Sequence, residues 1–163
     1  MLILGIDPGL RLTGYGLVSL LKGRPMLKEA GVLRMKEKGE LAGRLVELYT
    51  HVAALIEEMS PDRVAVEQLY AHYKHPRTAI LMGHARGVIL LAAAQKQLPV
   101  TNLASTMVKR TVTGNGHASK GQVQRAVAGL CGLKEVPEPP DVADAIAIAW
   151  TLATRITHKA PVL

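Results

Sequence analysis

Phenylalanine is absent from this 163-residue chain and aromatic residues make up only 3% of it, so aliphatic side chains and alanine must fill the core. Cysteine occurs once, at Cys131. A single thiol excludes an internal disulfide framework and a cysteine-based zinc site, and it fits a reducing, cytoplasmic setting. No stretch reaches the ~18–20 uninterrupted apolar residues of a membrane span. The apolar opening Met1–Ile6 meets Asp7-Pro8-Gly9 at once, so it lacks the basic start and long apolar centre of a signal peptide. Acidic residues are also few, 13 against 20 lysines and arginines, for a formal charge of +7. That balance suits a polyanionic partner, either nucleic acid or an acidic membrane surface.

The shortage of acid is concentrated. From Gln68 to Lys134 there is no aspartate or glutamate, where the mean density of the chain would place about five. The same stretch carries Lys74, Arg77, Arg86, Lys96, Lys109, Arg110, Lys120, Arg125 and Lys134. Its apolar segment Arg77–Gln97 lacks a basic face opposite an apolar one, which favours nucleic acid over lipid. The loop Leu69–Pro76 interleaves Tyr70 and Tyr73 with His72, Lys74 and His75, a composition suited to stacking on unpaired bases while holding phosphates. Either tyrosine could instead pack beneath a helix or decorate the surface. Asn115–Lys120 reads as a second polar, flexible loop ending in a cation. The six histidines show no metal-ligand spacing.

With 48% hydrophobic and 20% charged residues, the chain reads as one globular domain over residues 1–163, long enough to enclose a core. Leu2–Asp7 is a short apolar run closed by a turn-former, the pattern of a buried strand. Thr13–Leu20 and Met26–Met35, separated by Lys22-Gly23-Arg24-Pro25, extend it into an antiparallel meander. Leu41, Leu45, Leu48, Val52, Leu55, Ile56 and Met59 then repeat at helical spacing until Ser60-Pro61-Asp62. Arg63–Glu67 predicts a strand pairing in parallel with the first. A long small-residue helix over Arg77–Gln97, a strand over Pro99–Leu103 and helices over Ser105–Thr113, Lys120–Leu130 and Asp141 to about Thr157 complete the order βββαβαβααα. That order predicts an α/β fold with a five-stranded mixed sheet flanked by helices.

Four carboxylates fall where acid is costly. Asp7 and Glu67 end strands one and four, and parallel pairing would bring both to one sheet edge, a usual location for sites in α/β folds. Asp141 and Asp144 stand three apart at the start of the last helix, on one face and near a terminus that favours their charge by about 0.3–1 kcal/mol. A turn at Asp7, a cap at Asp141 or a solvated first-turn acid at Asp144 would each explain one residue. Convergence explains all four. Converging carboxylates repel one another unless divalent cations neutralise them, and hard oxygen ligands select magnesium or manganese over zinc. Two such ions about 3.5–4 Å apart can activate water and steady the leaving oxygen of a phosphodiester. An acidic centre abutting a basic stretch is the distribution a phosphodiester-cutting enzyme needs.

The chain resembles the RuvC family of crossover (Holliday) junction endodeoxyribonucleases. The resemblance runs through Ile3-Leu4-Gly5-Ile6-Asp7-Pro8-Gly9 with Thr13-Gly14-Tyr15-Gly16, then Ala65-Val66-Glu67-Gln68 and Gly83-His84-Ala85-Arg86-Gly87. It continues through Val108–Gly114 and Asp141-Val142-Ala143-Asp144-Ala145-Ile146-Ala147. It implies a ribonuclease-H-like fold, a homodimer with two active sites, and magnesium-dependent paired nicking of opposite strands at a four-way junction, leaving 5′-phosphate and 3′-hydroxyl ends. It also implies a role in recombination and repair beside the RuvA–RuvB branch-migration motor. The family's four acidic ligands for two Mg²⁺ ions, replaceable by Mn²⁺, match Asp7, Glu67, Asp141 and Asp144. The DNA-contacting aromatic matches Tyr70, and lysines that handle DNA match Lys109 and Lys120. Tyr73, Lys74, Arg77 and Arg110 complete the expected DNA contacts.

Two other classes share parts of this pattern. Actin-like and sugar-kinase ATPases open with a similar Gly-Ile-Asp-x-Gly strand and turn, but they enclose nucleotide between two lobes and this length supplies one. A non-catalytic DNA-binding module would use the same acids structurally, and neutralising Asp144 would then leave its function intact.

Overall fold

The computed structural model describes residues 1–36, 39–69 and 76–159, the side chain of Lys159 excepted. Strands β1 (Leu2–Asp7), β2 (Leu12–Leu21) and β3 (Arg24–Arg34) are followed by helix α1 (Leu41–Met59). Then come β4 (Arg63–Glu67), α2 (Pro76–Gln95), β5 (Val100–Leu103), α3 (Ser105–Thr113), α4 (Lys120–Cys131) and α5 (Pro140–Lys159). The strands form one sheet in the order β3-β2-β1-β4-β5. β1 pairs antiparallel with β2 and parallel with β4, and β4 pairs parallel with β5. This is the ribonuclease-H-like arrangement of a mixed sheet with helices on both faces.

The chain reversal after β2 is tighter than the sequence pattern suggests. Leu21 already pairs with Arg24, because Lys22 (φ 49°) and Gly23 (φ 76°) turn the chain alone, as a two-residue hairpin with both central residues at positive φ does. Arg24 and Pro25 therefore belong to β3, where proline is tolerated on an edge strand. α2 stops at Gln95, two residues early. Gln97 takes φ 56° and the amide of Leu98 bonds back to Ala93 at 3.0 Å. The loop at Asn115–Lys120, expected to be flexible, is closed by internal bonds. The Asn115 amide donates to Thr113 Oγ1 at 3.0 Å and the His117 amide to Asn115 Oδ1 at 2.9 Å. Ser119 and Gln122 then cap α4 reciprocally.

Strand alternation divides the core in two. Leu4, Ile6, Val64 and Val66 pack toward α1 and α2, whereas Ile3, Val18 and Ala65 pack toward α3, α4 and α5. α5 is the central piece of the second layer. Ala143, Ala145, Ile146, Ala147, Ile148, Ala149 and Ala153 are all essentially inaccessible to solvent, as expected of a helix that is apolar all round. At Gly5 and Gly14 it lies on the strand backbone with no side chain between. A methyl group built on Gly5 would stand 2.3 Å from the Ala145 carbonyl oxygen, and one on Gly14 would stand 2.0 Å from that of Asp141. Both distances are far inside van der Waals contact, so only glycine permits this approach.

Candidate active site

The period-two alternation that sorts the core also aims the acids. Ile3 faces α5, and Gly5 lies directly beneath that helix, so Asp7, two residues further on, belongs to that face. On the parallel neighbour, Ala65 faces α5 and Glu67 follows it two residues later, with Ile6 paired to Val66. Both carboxylates thus leave the same sheet edge on the same side. Asp7 pairs across the sheet with Gly14, the glycine that receives the Asp141 backbone. α5 starts one residue earlier, which sets Asp141 and Asp144 over the ends of β1 and β4.

The result is a cavity of about 340 Å³ lined by Asp7, Glu67, Asp141 and Asp144 together with Ser105, Lys109 and Lys120. Ser105, Val108 and Lys109 reach it because positions i, i+3 and i+4 of α3 share a face. Lys120, the first residue of α4, places its ammonium 3.7 Å from Asp144 Oδ2. Its side chain is 69% exposed against 24% for Asp144, so the lysine can swing into solvent while the acid stays.

The carboxyls are held at an electrostatic cost. Burial is the main reason that Asp7 stands well above the usual carboxylate range, and the charges of Asp144, Glu67 and Asp141 push it further. Glu67 is raised by burial too, against a hydrogen bond from Ser105. Burial likewise raises Asp144, with Lys120 the main opposing influence. In each case the folded state binds the proton more tightly than the unfolded chain. The contribution of these three groups to stability without metal is therefore fully present below about pH 4 and is lost as pH climbs through the raised values. Asp7→Asn removes that penalty. In thermal melts with chelator it is expected to match the native protein near pH 4 and to exceed it by about 2–4 °C per kcal/mol relieved at pH 8. A variant that melts lower at pH 8 would contradict the repulsion.

Four carboxylates with mutual repulsion suit a hard divalent cation in donor type. As they stand the acids line a shared cavity without closing on one point. Among the described residues no three histidine, cysteine, aspartate or glutamate side chains are gathered closely enough to hold an ion. Holding an ion would require side-chain rotation, with Lys120 swinging away from Asp144.

The basic residues divide. Lys109 and Lys120 reach the cavity. Arg110, one position round α3, and Arg77 on the first turn of α2 are exposed and do not line it. Tyr70, Tyr73 and Lys74, with His72 and His75, lie outside the described residues. Some contributors carried no individual signal in the sequence. Arg86 on α2 donates from Nε to the Glu67 carbonyl oxygen at 3.2 Å and from Nη2 to Asn102 Oδ1 at 2.5 Å, tying the ends of β4 and β5 behind the acid. Ser105 is another, and its place one turn before Lys109 is the cue that could have revealed it.

A family model described as crossover junction endodeoxyribonuclease RuvC matches residues 3–152. A curated relative of that name from Rhodopirellula baltica is 50% identical over 147 residues, covering 90% of this chain and 83% of its own. Among solved structures, Thermus thermophilus RuvC matches with 34% identity and a TM-score of 0.85, over 97% of this chain and 96% of its own. The same protein in complex with Holliday junction substrate matches with 33% identity and a TM-score of 0.87, at the same coverage. The yeast mitochondrial Holliday junction resolvase Ydc2, at 15% identity, shares the fold with a TM-score of 0.64 over 96% of this chain and 81% of its own.

Proposed function

The chain belongs to the RuvC family of crossover junction endodeoxyribonucleases, and we propose that Asp7, Glu67, Asp141 and Asp144 are the catalytic acids with which it resolves four-way DNA junctions. The observation that carries this reading is the single cavity shared by four carboxylates from β1, β4 and α5. Magnesium or manganese, held by these acids, would supply charge neutralisation and water activation for phosphodiester hydrolysis. Asp7, whose carboxyl feels the charge of the other three, would be the ligand shared between two ions. Lys109 and Lys120 hold the phosphates beside the cut. Cleavage leaves 5′-phosphate and 3′-hydroxyl ends. The test is a synthetic junction labelled on each arm. With Mg²⁺, opposing strands should be nicked symmetrically while linear duplex survives, and Ca²⁺ should not support cutting. Equal cutting of linear duplex would overturn the assignment.

Symmetrical nicking requires two equivalent sites, and therefore a two-fold dimer. The surface that supports one is α2, whose most apolar 18-residue window has a mean hydropathy of 1.3 yet is only 22% buried. Ile80 and Leu91 are 61% and 52% exposed, and with His84 and Gly87 they follow 4-3-4 spacing along one face. Exposed apolar faces of this kind mark interaction surfaces. Leu91→Asp is expected to weaken the dimer by roughly 100-fold, giving a monomer in sedimentation at micromolar concentration with unchanged circular dichroism. A variant that sediments as the native protein does would remove α2 from the interface. The RuvA–RuvB motor is the partner that the family resemblance adds.

A further inference from the structure

The structure holds a second cleft beside the acids, of about 730 Å³, against 340 Å³ for the acidic cavity. Three arginines line it, Arg11 from the β1–β2 turn, Arg34 from the end of β3 and Arg44 from α1, and among the described residues its one acid is Asp141. Asp141 and Met82 line both cavities, so the two adjoin. Leu10, Leu12 and Met35 give it an apolar floor.

Topology explains how residues so far apart in sequence meet. β3 runs parallel to β1 through the intervening antiparallel β2, so Arg34 ends at the edge where Asp7 and Glu67 end. Leu12 pairs with Arg34, and the Met35 amide donates to the Arg11 carbonyl oxygen at 3.0 Å. Along that edge the order is arginines at β3 and β2, acids at β1 and β4, then Lys109 just beyond β5. The acidic centre therefore has cations on both sides, and the acid-free stretch of sequence supplies only one of them.

We propose that this arginine-lined cleft binds the backbone phosphates of the DNA strand being cut, on the side of the acids opposite Lys109 and Lys120. The inference rests on the nuclease reading and extends it to a second strand-binding subsite. Guanidinium groups match phosphate oxygens in bidentate geometry, and the apolar floor suits the sugar faces of the same strand. Arg44 is anchored at the wall of the cleft. Its Nη2 donates to the Leu10 carbonyl oxygen at 3.0 Å, while its Nε is buried without a hydrogen-bond partner. Arg34 is exposed and forms no ion pair among the described residues.

Arg34→Gln tests the subsite, with Arg34→Lys as charge rescue and Lys22→Gln as an equal charge change at the opposite end of the sheet. Junction affinity is measured in chelator between 50 and 200 mM salt, on the order of the range where counterion release dominates. Arg34→Gln should weaken binding roughly threefold to tenfold and lower the slope of log K against log salt by about 0.9, the value for one phosphate. Arg34→Lys should restore the slope, and Lys22→Gln should leave it at the native value. An unchanged slope in Arg34→Gln, or an equal loss in Lys22→Gln, overturns the proposal. Metal-dependent cutting by the native protein is scored separately, so failure of the subsite and failure of the nuclease reading are told apart.

Discussion

Asp7→Asn is expected to cut a four-way junction at least about 1,000-fold more slowly than the native protein while binding it equally well or more tightly. If Asp7 serves two ions as proposed, its loss removes several kcal/mol of transition-state stabilisation, and each 1.36 kcal/mol is about tenfold in rate. Binding moves the other way because the variant lacks one negative charge beside the phosphates. Asp7 also carries the most crowded electrostatic environment, with all three other acids pushing its carboxyl upward. Single-turnover cleavage and gel-shift affinity on the same preparation separate the two effects. An Asp7→Asn variant that cuts at the native rate would remove Asp7 from the metal ligands, whereas a native protein that binds junctions without cutting them would be a non-catalytic module.

Gly14→Ala is the second substitution with a large expected effect, although it removes no functional group. The added methyl would lie 2.0 Å from the Asp141 carbonyl oxygen and 2.5 Å from its carbon. Both are backbone atoms, so no side chain can turn aside. The start of α5 must lift from β2, and Asp141 and Asp144 lift with it. Forced repacking of this kind costs about 1–3 kcal/mol or more, a fall in Tm of about 2–4 °C for each kcal/mol. Displacing ligands by about 1 Å costs roughly 100-fold in rate. Gly43→Ala in α1 is the comparison. A methyl there meets nothing within 4 Å, and the change should stabilise the helix by about 0.5–1 kcal/mol with cleavage unaffected. Equal behaviour of the two variants would show that close approach of α5 does not position the acids.

The acids were legible in sequence because their placement is local. Asp7 and Glu67 each end an apolar strand, and the alternation that buries Ile3 and Ala65 toward α5 also fixes which way those acids face. The helix over Leu41–Met59 was legible in the same way, through one apolar stripe that does bury Leu48, Val52, Leu55 and Ile56. What sequence reading could not supply depends on pairing between distant segments. Arg11, Arg34 and Arg44 are scattered through residues with nearby acids and gather only through the β1–β2–β3 register. Arg86 was visible as one cation of a basic block, but its grip on the Glu67 carbonyl oxygen follows from where α2 packs beside the ends of β4 and β5. The same block does not show which of its cations line the cavity, and Arg77 and Arg110 stand exposed outside it. Charge density along a chain is blind to helix phase, and one step round α3 separates Lys109 in the cavity from Arg110 outside it.

The central claim is that four carboxylates from three segments close on divalent cations at one place. Anomalous diffraction from crystals grown with Mn²⁺ and a junction carrying uncleavable linkages at the cut sites measures this directly. The account predicts two peaks about 3.5–4 Å apart within ligand distance of Asp7, Glu67, Asp141 and Asp144, with Lys120 withdrawn from Asp144. Manganese absent from this cavity, or held there by other side chains, would contradict it.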